Sequence, residues 1–221
     1  MDALRSVMYF RLLHDAASGA VSYLLADLEA GEAVLVDPRA GDLPVLEAML
    51  DEQRLSLRWV LRTHEHDELL PGEAEAIAAL GAPVVVHRLP AADGGVLVFG
   101  HEHLRALATP GHTAGCLSYL WRDRLFCGGV LAVDACPFQP RPALPEALWD
   151  SVTRCIFDLP DETLLFTGHA QNARAVSTVH EARLAHPWFA RASRDDFLAR
   201  VRGEAAAATP AVIAQPAPAR H

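Results

Sequence analysis

His64-Glu65-His66 lies directly after an apolar run, Leu57–Leu61. In extended chain, residues i and i+2 point to one side, so both imidazoles share a face. Two neutral nitrogen donors on one side suit Zn²⁺ or Fe²⁺. His112, in the tight turn Thr109-Pro110-Gly111-His112-Thr113, offers a third donor. His169, in Phe166-Thr167-Gly168-His169, follows another strand end and offers a fourth. Histidines at strand ends, each beside a glycine or a turn, are what an open metal site at a sheet edge needs. The same residues also read as ordinary polar loop residues, and His101-Glu102-His103, with the same spacing, is expected to mark an exposed turn.

The elements that would position these histidines follow from apolar patterning. Strands are expected at Val7–Leu13, Val21–Leu28, Ala33–Val36, Leu57–Leu61, Val84–His87, Val96–Phe99, Leu104–Ala108 and Thr163–Phe166, with a hairpin of Cys116–Trp121 and Arg124–Cys127 around Asp123. Leu43–Asp51 has helical spacing, with Asp42 as N-cap and Pro44 in the first turn. Ala74–Leu80, closed by Gly81, and Pro145–Phe157, Asn172–Ala185 and Arg194–Val201 also read as helices. No repeat of fixed period is present, and strands followed by helices in both halves suit two packed sheets with helices outside.

At 221 residues and 51% hydrophobic, the chain can bury one sizeable core. A single domain over residues 1–203 is expected, followed by an Ala/Pro-rich tail at 204–221 without a periodic face, which is expected to be disordered. The net charge of −9 supplies no basic surplus for phosphates, arguing against nucleic-acid or anionic-membrane partners. No apolar run approaches a membrane span and no signal peptide is apparent. Cys116, Cys127, Cys136 and Cys155 form no CxxC pair, and the simplest reading is a cytoplasmic protein with reduced thiols. Cys116 and Cys127 fall in strands and are expected to be buried packing residues.

Several stretches together resemble the metallo-β-lactamase superfamily. THEHDE resembles its T-H-x-H-x-D-H motif, and TPGHTAGCLSYL the T-P-G-H-T segment of the glyoxalase II and persulfide dioxygenase branches. LFCGG resembles their F-T-G-D strand, and LPDETLLFTGHA the segment with the last histidine. STVHEARLAHP, and FQP with LWDSV, resemble the dioxygenase branch more closely. The resemblance runs from about Tyr9 to Phe197. It implies an αββα sandwich, an α/β fold of two mixed sheets packed face to face with helices outside.

The departures define the expected site. Glu68 stands where the motif has aspartate, Leu69 where it has its final histidine, and Gly129 where the family has a metal-binding aspartate. What remains is a first position of His64, His66 and His112, with His169 and Glu68 left from the second. One divalent ion, Fe(II) or Zn(II), is expected rather than two. Glu68 is a candidate general base or partner of a ligand histidine, and reads equally as a solvated loop acid. Asp134 is a further candidate for the missing carboxylate, if its loop folds back. Asp37 matches a strand-end aspartate of the family and is expected to brace the metal loop. DACPFQ replaces the family's G-C-G-R-T-D-F-Q, so Pro137 follows Cys136 where an arginine would, and Arg141 reads as a surface charge.

Three functions follow from the resemblance. The first is a mononuclear oxidoreductase acting on a glutathione persulfide or related thiol. The second is a zinc hydrolase of thioesters or lactones, and the third a non-catalytic relative with a weakened site. The implied partner is a small-molecule thiol, persulfide or thioester, and a homodimer is compatible with it.

Overall fold

A computed structural model describes residues 8–65, 72–87, 95–132, 141–171 and 174–207. The first half of the chain builds one sheet from β1 (Met8–His14), β2 (Val21–Asp27), β3 (Glu32–Val36), β4 (Ser56–Leu61) and β5 (Val84–Val85), in that order. The first three strands are antiparallel, whereas β3, β4 and β5 run parallel. Parallel neighbours need a crossover, and α1 (Leu43–Gln53) and α2 (Glu73–Ala78) supply the two. The second sheet has the order β11-β10-β9-β8-β7-β6. Its strands are β6 (Val96–Phe99), β7 (Glu102–Ala108), β8 (Leu117–Trp121), β9 (Arg124–Gly128), β10 (Leu164–Gln171) and β11 (Arg174–Thr178). Only β9 and β10 pair in parallel there, bridged by α3 (Pro145–Ser151) and a π-helical turn at Val152–Ile156. The remaining helices are α4 (Val179–Ala185) and α5 (Arg194–Ala207).

Three apolar layers hold this arrangement. Tyr23, Leu25, Val34 and Val36 of the first sheet meet Leu104, Tyr119, Trp121 and Phe126 of the second. Leu24, Ala33 and Leu35 point the other way, against Leu43, Leu46 and Leu50 of α1. Leu125, Cys127 and Leu165 cover the far face of the second sheet under Leu148, Val152, Val179 and Phe197. Each fully buried residue of this size contributes roughly 1.5–3 kcal/mol of transfer free energy. The sandwich expected from sequence is therefore observed. Among the described residues, no helix is long and apolar enough to cross a membrane.

Some local expectations are corrected. Asn172–Ala185 is not one helix: Arg174–Thr178 forms β11 against β10, and only Val179–Ala185 is helical. The β-branched Val176 and Thr178 favour the strand, and Thr178 is the N-cap whose hydroxyl accepts from Glu181 N. Asp42 does not cap α1 with its side chain; the carboxylate accepts from Ser22 Oγ (2.6 Å) and Arg39 Nε (2.8 Å) instead. Only the first half of Pro145–Phe157 is α-helical. His101 lies in an exposed turn as expected, but β7 begins at Glu102, whose buried carboxylate accepts from Trp121 Nε1 (2.9 Å) and Arg122 Nε (2.9 Å). The helix α5 continues past Val201 to Ala207.

At the end away from the histidines, the buried carboxylate of Asp27 ties the two sheets and that of Glu102 ties neighbouring strands of the second. Asp27, at the end of β2, accepts from His101 N (2.8 Å), His101 Nδ1 (2.9 Å), Glu29 N (3.0 Å) and Ala30 N (3.2 Å). Burial works against its charge, yet these hydrogen bonds outweigh it and hold the carboxyl below its ordinary range. Glu102 is held low chiefly by Arg122, against burial. Groups depressed on folding contribute stability that is present above their unfolded pKa and lost as pH falls through the folded one. The urea midpoint is therefore expected to fall as pH drops from about 5 to about 3. In an Asp27→Asn/Glu102→Gln variant the midpoint at pH 7 is lower and the slope with pH is reduced. An unchanged slope would remove this assignment.

Candidate metal centre

The histidines gather where the parallel strands of both sheets end. The chain leaves β4 through Arg62 and Thr63, and Thr63 O accepts from Leu117 N (2.8 Å), stitching this loop to the start of β8. Asp37, directly after β3 with φ +47°, grips Thr63 from the side. Its Oδ1 accepts from Thr63 N (2.7 Å) and its Oδ2 from Thr63 Oγ1 (2.6 Å). Burial pushes the Asp37 carboxyl up, opposed by the Arg62 charge and the Thr63 bonds. Thr63 Oγ1 also stands 2.7 Å from His64 Nδ1. With Asp37 ionised, the hydroxyl proton goes to the carboxylate, and the hydroxyl oxygen accepts Nδ1–H of His64. That leaves Nε2 as the lone-pair nitrogen of His64.

His112 is positioned by its turn. Gly111 has φ +144°, and a Cβ there would lie 2.3 Å from Leu148 Cα, so α3 rests directly on this glycine. Gly111 O accepts from Leu144 N (2.9 Å), His112 O from Ala143 N (3.0 Å) and Pro110 O from Ser151 Oγ (2.8 Å). The ring is fully buried, with Nδ1 3.9 Å from Cys116 Sγ. His169 lies within β10 rather than after it, at a β-bulge, and bridges to Ala20 of the β1–β2 turn.

The structure brings three of the four expected metal histidines together. The His64 and His112 rings are 5.0 Å apart, edge to face, and His64 and His169 are 5.9 Å apart. All three are buried. His66 and Glu68, the remaining expected ligand and the expected base, lie outside the described residues, as do Asp134 and Cys136. Among the described residues, no set of three or more His, Cys, Asp or Glu side chains is arranged to hold an ion.

Glycines make the gathering possible. A Cβ at Gly128 would lie 2.1 Å from Thr63 Oγ1, and one at Gly168 3.2 Å from His64 Cε1. A Cβ at Gly129 would lie 2.3 Å from His112 Nδ1 and 2.4 Å from its Cε1. The space of a side chain at 129 is thus filled by the His112 ring.

The motif reading gives no place to His87, yet its Nε2 lies 2.6 Å from Glu65 Oε2, beside the histidine loop. It follows β5 with φ +59° and would meet a Cβ on Gly115 at 2.2 Å. No spacing rule signals it, because it comes from a separate strand. Cys116 and Cys127 are buried as expected, and burial pushes the Cys127 thiol up to about 12, which keeps it protonated and unreactive.

Two facing mixed sheets, helices outside and a histidine cluster at one sheet edge define the αββα class. No protein-family model matches the chain. Human mitochondrial persulfide dioxygenase ETHE1 is 33% identical over 190 residues, covering 80% of this chain and 74% of the human protein. The hydroxyacylglutathione hydrolase of Methylococcus capsulatus is 33% identical over 208 residues, covering 87% and 78%. The crystal structure of ETHE1 from Myxococcus xanthus is 33% identical with a TM-score of 0.78, covering 89% of this chain and 91% of that one. The chain belongs to the metallo-β-lactamase superfamily, in the branch that holds persulfide dioxygenases and hydroxyacylglutathione hydrolases.

Proposed function

We propose that the chain is a mononuclear, metal-dependent oxidoreductase acting on a glutathione persulfide or a related small thiol. The observation that carries the one-metal reading is the His112 ring against Gly129. Position 129 offers no carboxylate, and its side-chain space is taken by an imidazole. Likeness to ETHE1 over nine-tenths of both chains supports the choice of reaction.

The spacing of two of the rings supports one ion. Imidazoles sharing a tetrahedral ion at about 2.0–2.1 Å have ring centroids roughly 5 Å apart. The His64 and His112 rings stand at 5.0 Å. In this reading His64, His66 and His112 hold Fe(II) or Zn(II), with His169 beside them. Neutral ligands leave the ion its full charge, so it supplies Lewis acidity and, as iron, redox chemistry. The chain's own residues do the rest. Thr63 holds the proton on His64 Nδ1, Asp37 fixes that hydroxyl, and the buried rings keep bulk water from the base of the site. Glu68 is the residue to accept a proton from the substrate thiol.

Hydroxyacylglutathione hydrolase relatives favour a second reading, in which a zinc-loaded site hydrolyses thioesters. Anaerobic loading with Fe(II), followed by oxygen uptake with glutathione persulfide, separates the readings. Uptake is expected from the iron-loaded protein and not from a His64→Ala/His112→Ala variant, which also loses its equivalent of metal on elemental analysis. No uptake by fully iron-loaded protein removes the oxidoreductase. Turnover of acylglutathione by the zinc form then supports the hydrolase, and failure to take up stoichiometric metal supports a non-catalytic protein.

A further inference from the structure

A cleft of about 360 Å³ opens between β11, α4 and the turn after Gly129. Its walls include Leu131, Thr167, Arg174, Ser177, Glu181 and His186. It starts at β10, where Thr167 is two residues before His169 and its Oγ1 donates to His169 O (2.8 Å). Arg174 stands across from Gln171, two residues beyond His169. A volume of this size is in the range of small-molecule sites, at their lower end.

The charges within it are two. His186 donates from Nε2 to Leu131 O (3.0 Å) and accepts from Trp188 N at Nδ1 (3.2 Å), which fixes a neutral ring. Among the described lining residues, that leaves Arg174 as the one cation and Glu181 as the one carboxylate. They pair with each other, Arg174 Nη2 to Glu181 Oε2 at 2.5 Å, with side chains 59% and 39% exposed. Thr178-x-x-Glu181 has the sequence of a capping box, and Thr178 Oγ1 does accept from Glu181 N (3.1 Å). The Glu181 carboxylate is nonetheless turned to Arg174 instead of returning to the backbone of Thr178. An exposed ion pair costs little to open. A ligand carrying an ammonium and a carboxylate on one carbon offers each member a new partner of opposite sign, with the hydroxyls of Ser177 and Thr167 at hand.

We propose that this cleft binds the α-amino-acid end of the substrate, with Arg174 taking the carboxylate and Glu181 the ammonium. This rests on the reading of the chain as an enzyme of small thiols, and narrows the substrate to thiols bearing a free amino-acid terminus, such as glutathione derivatives. The substrate sulfur then extends along β10 towards His169.

Calorimetric titration of the purified full chain with S-methylglutathione tests the cleft without the chemistry, because the blocked sulfur carries no thiol. Saturable binding is expected. Arg174→Gln raises Kd at least about tenfold, the effect of losing a charge-assisted pair. Glu181→Gln weakens S-methylglutathione, but makes no difference to its N-acetyl derivative, which lacks the ammonium. Arg174→Lys, which keeps the charge and loses the fork, is intermediate and serves if Arg174→Gln fails to fold. No saturable binding by the wild type, or wild-type Kd in both Arg174→Gln and Glu181→Gln, overturns the proposal. Binding that depends on Arg174 without any oxygen uptake removes the functional reading and leaves the cleft assignment standing. Oxygen uptake with glutathione persulfide and unaltered KM in both variants does the reverse.

Discussion

Gly129→Asp is expected to lower stability and to empty the site, although it restores the aspartate of the motif that LFCGG resembles. The new Cβ would stand 2.3 Å from His112 Nδ1 and 2.8 Å from Cγ, well inside contact distance. His112 has no exposed surface into which its ring could swing, and its turn is fixed by Ala143 N on His112 O and Leu144 N on Gly111 O. Overpacking of this kind costs about 1–3 kcal/mol even for the methyl of Gly129→Ala. The carboxylate adds the cost of a buried charge. Urea denaturation should give a loss of about 1–3 kcal/mol for Gly129→Ala and more for Gly129→Asp, with metal content falling in step. A Gly129→Asp protein that keeps wild-type stability and takes up a second equivalent of metal would sink both this expectation and the one-metal reading.

The same glycine marks how far sequence reading reaches. The sandwich was legible because several motifs occur together in order, and because strands such as β3 and β9 are continuous apolar runs bounded by turns. The gathering of His64, His112 and His169 was legible for the same reason, since each belongs to one of those motifs, although His169 lies within β10 and not after it. What the motifs did not carry was everything set by contacts between distant segments. Glu181 was visible as a helix residue, but its pairing with Arg174 depends on β11, which high helical propensity around Ala173 and Ala175 concealed. The spacing of His101-Glu102-His103 suggests an exposed turn and hides the burial of Glu102, which Arg122 and Trp121 reach across the sheet. His87 arrives at Glu65 from a strand of two residues, for which no periodicity exists. Similarly, the departure at 129 reads in sequence as a loss; in the fold it is a position that an imidazole has taken over.

Replacing Thr63 by Val is expected to weaken metal binding by about 10–100-fold, the usual effect of removing a partner of a ligand histidine. Thr63 is buried, and its hydroxyl is the sole link between the Asp37 carboxylate and His64 Nδ1 among the described contacts. Without it, Asp37 Oδ2 loses a donor and His64 Nδ1 loses its acceptor, each a buried polar group that costs about 1–3 kcal/mol when unsatisfied. Thr63→Ser keeps the hydroxyl and should restore affinity to within a few-fold. Asp37→Asn discriminates positioning from simple packing. Its amide oxygen can still accept from Thr63 N, but its NH₂ now donates to Thr63 Oγ1, and the hydroxyl loses the carboxylate oxygen that accepted its proton. The hydroxyl then donates to His64 Nδ1, which moves the ring proton to Nε2, the nitrogen that must carry the lone pair. Every hydrogen bond survives in Asp37→Asn, yet metal affinity should fall at least as far as in Thr63→Val. Competition with a chelating dye measures all three variants. Wild-type affinity in both Thr63→Val and Asp37→Asn would mean that the Asp37–Thr63–His64 chain braces the loop without setting the state of the ring.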